Sequence, residues 1–174
     1  MWHQLWTMPR GADYMQTSLD GTGLPPLGGH VRGHYGRCVT DARVELYVAR
    51  QWQRNSMYDP GTIGRMMEPV VAAFPPDANV GDVIEQLREL VTRALITYVY
   101  VLDENEHLLG IVTMRDLLFS ERERRLDQVM LRGAFALHAA MQVQDAMRLV
   151  LDRHYPVYPV VDAERRLIGL VRGQ

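Results

Sequence analysis

Val101-Leu102-Asp103, followed by Gly110-Ile111-Val112-Thr113-Met114-Arg115-Asp116-Leu117, is the stretch that decides the fold, because the chain carries its pattern twice. The second copy reads Tyr158-Pro159-Val160-Val161-Asp162, then Gly169-Leu170-Val171. In each copy an apolar, β-rich run ends on Asp, turns, and resumes as Gly with two apolar residues. Two short strands joined by a turn have this signature.

The repetition extends upstream. Met67, Val80, Asp82 and Leu87 return as Met130, Val143, Asp145 and Val150, 63 residues later. Asp103 and Gly110 return as Asp162 and Gly169, 59 later, so the second unit is four residues shorter after its helix. Each unit predicts strand, helix, strand, strand. In the first, Val70 to Phe74 forms a strand that Pro75 and Pro76 stop. Asn79 is placed to cap a helix with Asp82 in its first turn. Val80, Val83, Ile84, Leu87, Leu90 and Val91 recur at helical spacing and predict one buried face. Tyr98 to Leu102 and Leu109 to Met114 read as strands, and Asp116 to Phe119 begins another helix. In the second unit Ala134 to Leu137 is a weak strand. Val143, Ala146, Met147, Val150 and Leu151 form the helical stripe, and Val157 to Val161 and Leu167 to Val171 are strands. The first unit runs on into a helix after its Gly-Ile-Val, whereas the second reaches Gln174 four residues after Leu170. The second unit is therefore expected to lack a closing helix and to leave an apolar face uncovered.

The flanking sequence is different. Gly21, Gly23, Pro25, Pro26, Gly28, Gly29, Gly33 and Gly36 mark residues 1–40 as an irregular leader. No apolar strand leads into these glycines, so they fail the context of a phosphate-binding loop. Residues 41–61 read as a short helix, opened by Asp41 and carrying Val44, Leu46, Val48 and Trp52, then a turn at Asp59-Pro60-Gly61.

Composition sets the outer bounds. Apolar residues make up 47% of the 174 and charged residues 23%, the balance of a globular protein. A net charge of -2 argues against general nucleic-acid binding, which needs a basic surface. One cysteine, Cys38, forms no internal disulfide and has no marked catalytic partner, which fits a reducing, cytoplasmic setting. No run of apolar residues reaches the ~20 needed to span a bilayer. No activated nucleophile or acid–base pair stands out, so an enzyme is not expected.

Two β-α-β-β-α units with these paired blocks resemble a tandem CBS domain pair, an α/β fold, over roughly residues 62–174. The resemblance divides the chain into a first module at 62–126 and an incomplete second module at 127–174. Tyr58-Asp59-Pro60-Gly61-Thr62-Ile63-Gly64-Arg65-Met66-Met67 is similar to the segment leading into the CBS pair of MgtE-type magnesium transporters. That resemblance implies a homodimeric cytosolic regulatory module that senses Mg2+ and gates a membrane transporter domain. The leader lacks the long helical domain of that family. The alternative is a free-standing CBS sensor of adenosine nucleotides such as ATP or AMP.

The candidate residues follow. Thr113 and Asp116 match the Thr-x-x-Asp of nucleotide-binding CBS modules, where a carboxylate accepts the ribose hydroxyls and a hydroxyl meets phosphate. The same pair equally fits a helix cap. Arg172 stands where the second unit would repeat Thr113, which puts a second nucleotide site in doubt. For Mg2+, which takes carboxylate oxygens and keeps several waters, the resemblance points to Asp127, Asp162 and Glu164, with Asp103, Glu104 and Glu106 forming a similar turn in the first unit. These are also ordinary turn residues. His138 and Gln142 stand where acids would strengthen such a site, so a weakened Mg2+ response is expected. His107, His138 and His154 lack zinc spacing, and Met66, Met67, Met130, Met141 and Met147 read as core.

Overall fold

The structure, a computed structural model, describes residues 41–92 and 94–173, with side chains from Val48 onward. The expectations for the leader and for Cys38 lie outside those residues. Helix α1 (Asp41–Ser56) is followed by a 3-10 turn (Ile63–Met66), then β1 (Ala73–Phe74), α2 (Val80–Leu90), β2 (Tyr98–Leu102), β3 (Leu108–Thr113) and α3 (Met114–Phe119). The second half contains α4 (Leu126–Val129), β4 (Leu131–Arg132), β5 (Leu137–His138), α5 (Val143–Val150), β6 (Val157–Val161) and β7 (Leu167–Arg172). One sheet has the order β1-β2-β3-β4, the other β5-β6-β7.

Both halves obey the same rules. β1 lies parallel to β2 and β5 parallel to β6, each after a helical crossover, while β2–β3 and β6–β7 are antiparallel hairpins. Val99 to Leu102 and all of β6 are buried, which is why these strands read as continuous apolar runs rather than alternating ones. The hairpin turns are near copies. Asp103 Oδ1 accepts from the backbone N–H of Asn105 and His107, and Asp162 Oδ1 accepts from those of Glu164 and Arg166. Asp favours such turns because its side chain can bond the backbone just ahead. Glu106 and Arg165 hold the same left-handed position in the two turns, with φ of 66° and 64°.

The segments that lead into the two units are exchanged. Ile63 and Met67 are buried with Leu137, Ala146, Tyr158 and Val160 of the second unit. Leu126 and Met130 are buried with Phe74, Val83 and Val99 of the first. The backbone shows the same swap: Ile63 and Gly64 donate to Met141 and Ala139 carbonyls at 2.8 and 2.7 Å, while Leu126 and Asp127 donate to Ala78 and Pro76 at 2.9 Å each. This explains why the strand expected over Val70 to Phe74 shortens to Ala73–Phe74. The chain first exchanges N–H···O bonds between Glu68 and Leu170 of β7, and only then crosses to pair with β2. The weak strand expected at Ala134 to Leu137 likewise moves to Leu137–His138, because Leu131–Arg132 is already held on β3.

Between the halves, Tyr100, Leu102 and Leu167 form a buried cluster flanked by Val70 and Leu170. Burial pushes the Tyr100 phenol pKa well up. Leu167 N–H donates to Glu106 C=O at 2.9 Å, joining the two hairpin turns. Helix α1 is tied to the second half by the Arg54 guanidinium, which donates to Ile168 C=O at 3.1 Å, and by Asn55, which donates to Met67 C=O at 2.8 Å. Among the described residues no helix is long and apolar enough to cross a membrane.

The helices separate the two halves. α2 buries Val80, Val83, Leu87 and Leu90, with Leu117 of α3 fully buried in the same core. Among the described residues the second half ends on β7. α5 buries only Ala146, and Met147, Leu149 and Leu151 are exposed.

Candidate functional site

Thr113 ends β3 opposite Tyr98 of β2 and caps α3. Its Oγ1 accepts from Asp116 N–H at 3.1 Å, and its hydroxyl donates to Asp116 Oδ2 at 2.7 Å. The cap expected from Thr-x-x-acid is therefore made. The Asn79 side chain makes no cap bond to α2. Among the described residues no arginine or lysine pairs with Asp116, whose side-chain partner is the Thr113 hydroxyl.

Aromatic groups gather nearby. Burial, and then the neighbouring Tyr155 and Tyr158, raise the Tyr98 pKa. Tyr155 and Tyr158 ring centroids are 5.7 Å apart, Phe135 meets Tyr158 edge-on at 6.2 Å, and the Arg153 guanidinium lies 3.9 Å over Phe135. Tyr155 and Tyr158 thus pack, and Tyr155 is still partly open to solvent.

The acidic candidates fall in two places. Asp162 and Glu164 share Arg166: its Nε donates to Asp162 Oδ2 at 2.7 Å and a terminal nitrogen to Glu164 Oε2 at 3.2 Å. The hydrogen bond to Asp162 raises the Arg166 pKa further, so this cation stays charged. Asp127 sits apart on α4, where Arg125 donates to its Oδ2 at 2.6 Å. Its other oxygen, Oδ1, is buried without a hydrogen-bond partner, an atom that calls for a water or a cation. Among the described residues no three His, Cys, Asp or Glu side chains come together as a metal cluster. The acids of the first turn show the same economy: Asp103 Oδ2 meets His107 Nδ1 at 2.9 Å.

Sequence reasoning missed the arginines that hold these acids, although Asp162 and Arg166 stand four apart and Arg125 precedes Asp127 by two. It also missed Glu68. The 63-residue offset places Glu68 where the second unit has Leu131, and the 59-residue offset places Arg172 where the first has Thr113. Arg172 Nε donates to both Glu68 oxygens at 3.0 and 2.9 Å.

The family model of the CBS domain matches residues 63–123 and 126–172. The magnesium transporter MgtE of Thermus thermophilus is 31% identical over 115 residues, 66% of this chain and 26% of the transporter. The chain thus spans about a quarter of the length of the curated relatives it matches. The cytosolic domain of the Mg2+ channel MgtE, in a crystal structure with ATP, superposes with a TM-score of 0.66 at 29% identity, covering 71% of this chain and 50% of that one. CBSX2 in complex with AMP superposes with a TM-score of 0.54 at 29% identity, covering 64% and 89%.

Proposed function

The chain belongs to the CBS domain family, and from that premise we propose that it is the Mg2+-sensing regulatory module of an MgtE-type magnesium transporter, working as a homodimer on the cytosolic side of the membrane. The observation that carries this reading is the likeness to the cytosolic domain of the Mg2+ channel MgtE.

The residues present fit Mg2+ in part. Asp127 offers a buried, unpartnered oxygen, and Mg2+ often takes only one or two protein carboxylates. Asp162 and Glu164 instead share the single charge of Arg166, so a cation there has to compete with a guanidinium. Asp127 is therefore the first Mg2+ ligand to test, and Asp162 and Glu164 the second. A bound Mg2+ supplies charge that offsets repulsion between acidic surfaces. The protein's part is to hold Asp127 on α4, which packs into the first core through Leu126, so that binding favours one arrangement of the pair over another.

A second reading is favoured by Thr113 and Asp116: an adenosine nucleotide, ATP or AMP, with its ribose on the Asp116 carboxylate and its phosphates near Thr113. Arg115 lies on α3 between Thr113 and Asp116, and Tyr98 pairs with Thr113 across the hairpin. The two ligands are separable by thermal melts of the purified chain with millimolar Mg2+, with ATP and with AMP, since a ligand that binds only the folded state raises its stability. A rise with Mg2+ that Asp127→Asn removes supports the transporter reading. A rise with nucleotide alone, removed by Asp116→Ala, moves the function to nucleotide sensing. No rise with any ligand overturns both.

A further inference from the structure

The internal repeat gives Thr113 and Arg172 equivalent places, Thr113 at the end of β3 opposite Tyr98 and Arg172 at the end of β7 opposite Val157, and so defines a first and a second cleft position. Their chemistry differs. On the first side β3, which Thr113 ends, pairs through Ile111 with Leu131, an uncharged residue. On the second, Glu68 takes the place of Leu131 and Arg172 that of Thr113, and the two close on each other through a two-oxygen ion pair. Glu68 cannot drift away, because its backbone is clamped to Leu170 by hydrogen bonds of 2.8 and 2.9 Å in both directions. Behind the pair lies a recess lined by Thr97, Tyr98, Tyr100 and Leu170. It holds about 20 Å³, room for one water, whereas ligand pockets run to about 300 Å³ or more.

We propose that the Glu68–Arg172 ion pair is a built-in plug that closes the second cleft, so that the chain admits a single adenosine nucleotide, on the Thr113 side. The proposal rests on the nucleotide reading above for what binds, but not for the plug itself. The pair spans the halves, with Glu68 on the leading segment of the first unit and Arg172 on the last strand of the second. It also engages Arg172, the one cation among the described residues that line the recess, and so withholds it from a ligand phosphate.

Two measurements on the 174-residue chain test it. In a Cys38→Ser background, the thiol introduced by Thr97→Cys is labelled with a small neutral maleimide. Adding Glu68→Gln is expected to speed labelling about two- to fivefold, the worth of an exposed ion pair, without speeding labelling of a thiol introduced by Thr92→Cys outside the recess. An unchanged rate, or equal acceleration at both positions, overturns the plug. In the second measurement ATP is titrated calorimetrically. One equivalent per chain, abolished by Asp116→Ala, is expected. Two equivalents, or binding that survives Asp116→Ala, overturns the plug. Absence of binding to the unaltered chain, with the labelling result positive, overturns the nucleotide reading and leaves the plug in place.

Discussion

Helices α2 and α5 occupy the same place in the repeat, yet one is built into a core and the other rides on its surface. Val83 of α2 becomes Ala146 of α5, Leu90 becomes Arg153, and Arg88 becomes Leu151. The first helix buries large apolar groups beneath α3, while the second buries one small one. The difference teaches that stability in this chain is unevenly distributed: the first half carries the dense core, and the second depends more on its strands and on the Ile63–Met67 segment lent to it.

The largest effect expected on that comparison is Leu117→Ala. It removes the fully buried side chain that α3 sets against α2 and should cost about 2–5 kcal/mol. Val150→Ala, on the thinly covered face of α5, should cost only about 1 kcal/mol. Urea unfolding of the two variants measures the asymmetry, and equal losses would break it. The paired glycines give a smaller contrast. A Cβ at Gly110 would stand 2.7 Å from the Leu131 carbonyl oxygen, so Gly110→Ala should cost about 1–3 kcal/mol. At Gly169 the obstacle is the Met67 side chain, and Gly169→Ala should lower the unfolding midpoint less.

The turns sharpen the comparison by pH. Burial works against the charge of Asp103, but the hydrogen bonds from the His107 side chain and from the His107 and Asn105 backbone outweigh it and hold its pKa below the usual carboxylate range. Because the folded value is depressed, the stabilisation is complete above the unfolded pKa of about 3.9 and is lost as pH falls through the folded value. Denaturant midpoints followed downward from pH 6 should fall in acid, and Asp103→Asn should flatten part of that fall. The smallest effect is expected for Leu151→Arg, which gives α5 the residue found at the same place in α2. It should change stability by less than about 0.5 kcal/mol in a thermal melt, since Leu151 is exposed.

Much of this was legible from residues alone. The strands at Tyr98–Leu102 and Val157–Val161 follow from dense β-branched and aromatic runs bounded by Asp turns. The exchange of Ile63 and Met67 with Leu126 and Met130 was not legible, because periodicity shows that a residue is buried but not in which of two similar cores. The candidate site was read in part. Thr113 and Asp116 are joined as their spacing implies, since three residues separate a cap from the amide it satisfies. The arginine partners of Asp127 and Asp162 were overlooked because each pairing depends on how a turn or a four-residue helix folds back, which residue type alone does not fix.

The exchanged segments also decide how a mechanical load travels. A pull transmitted along α1 passes through Arg54 and Asn55 to Ile168 and Met67, and so tugs on the interior of the second half before the strands of the first bear any tension. A push between the halves is resisted by two crossing straps, one in each direction. Force entering at one end is thus delivered to the far half first, as in a pair of clasped wrists.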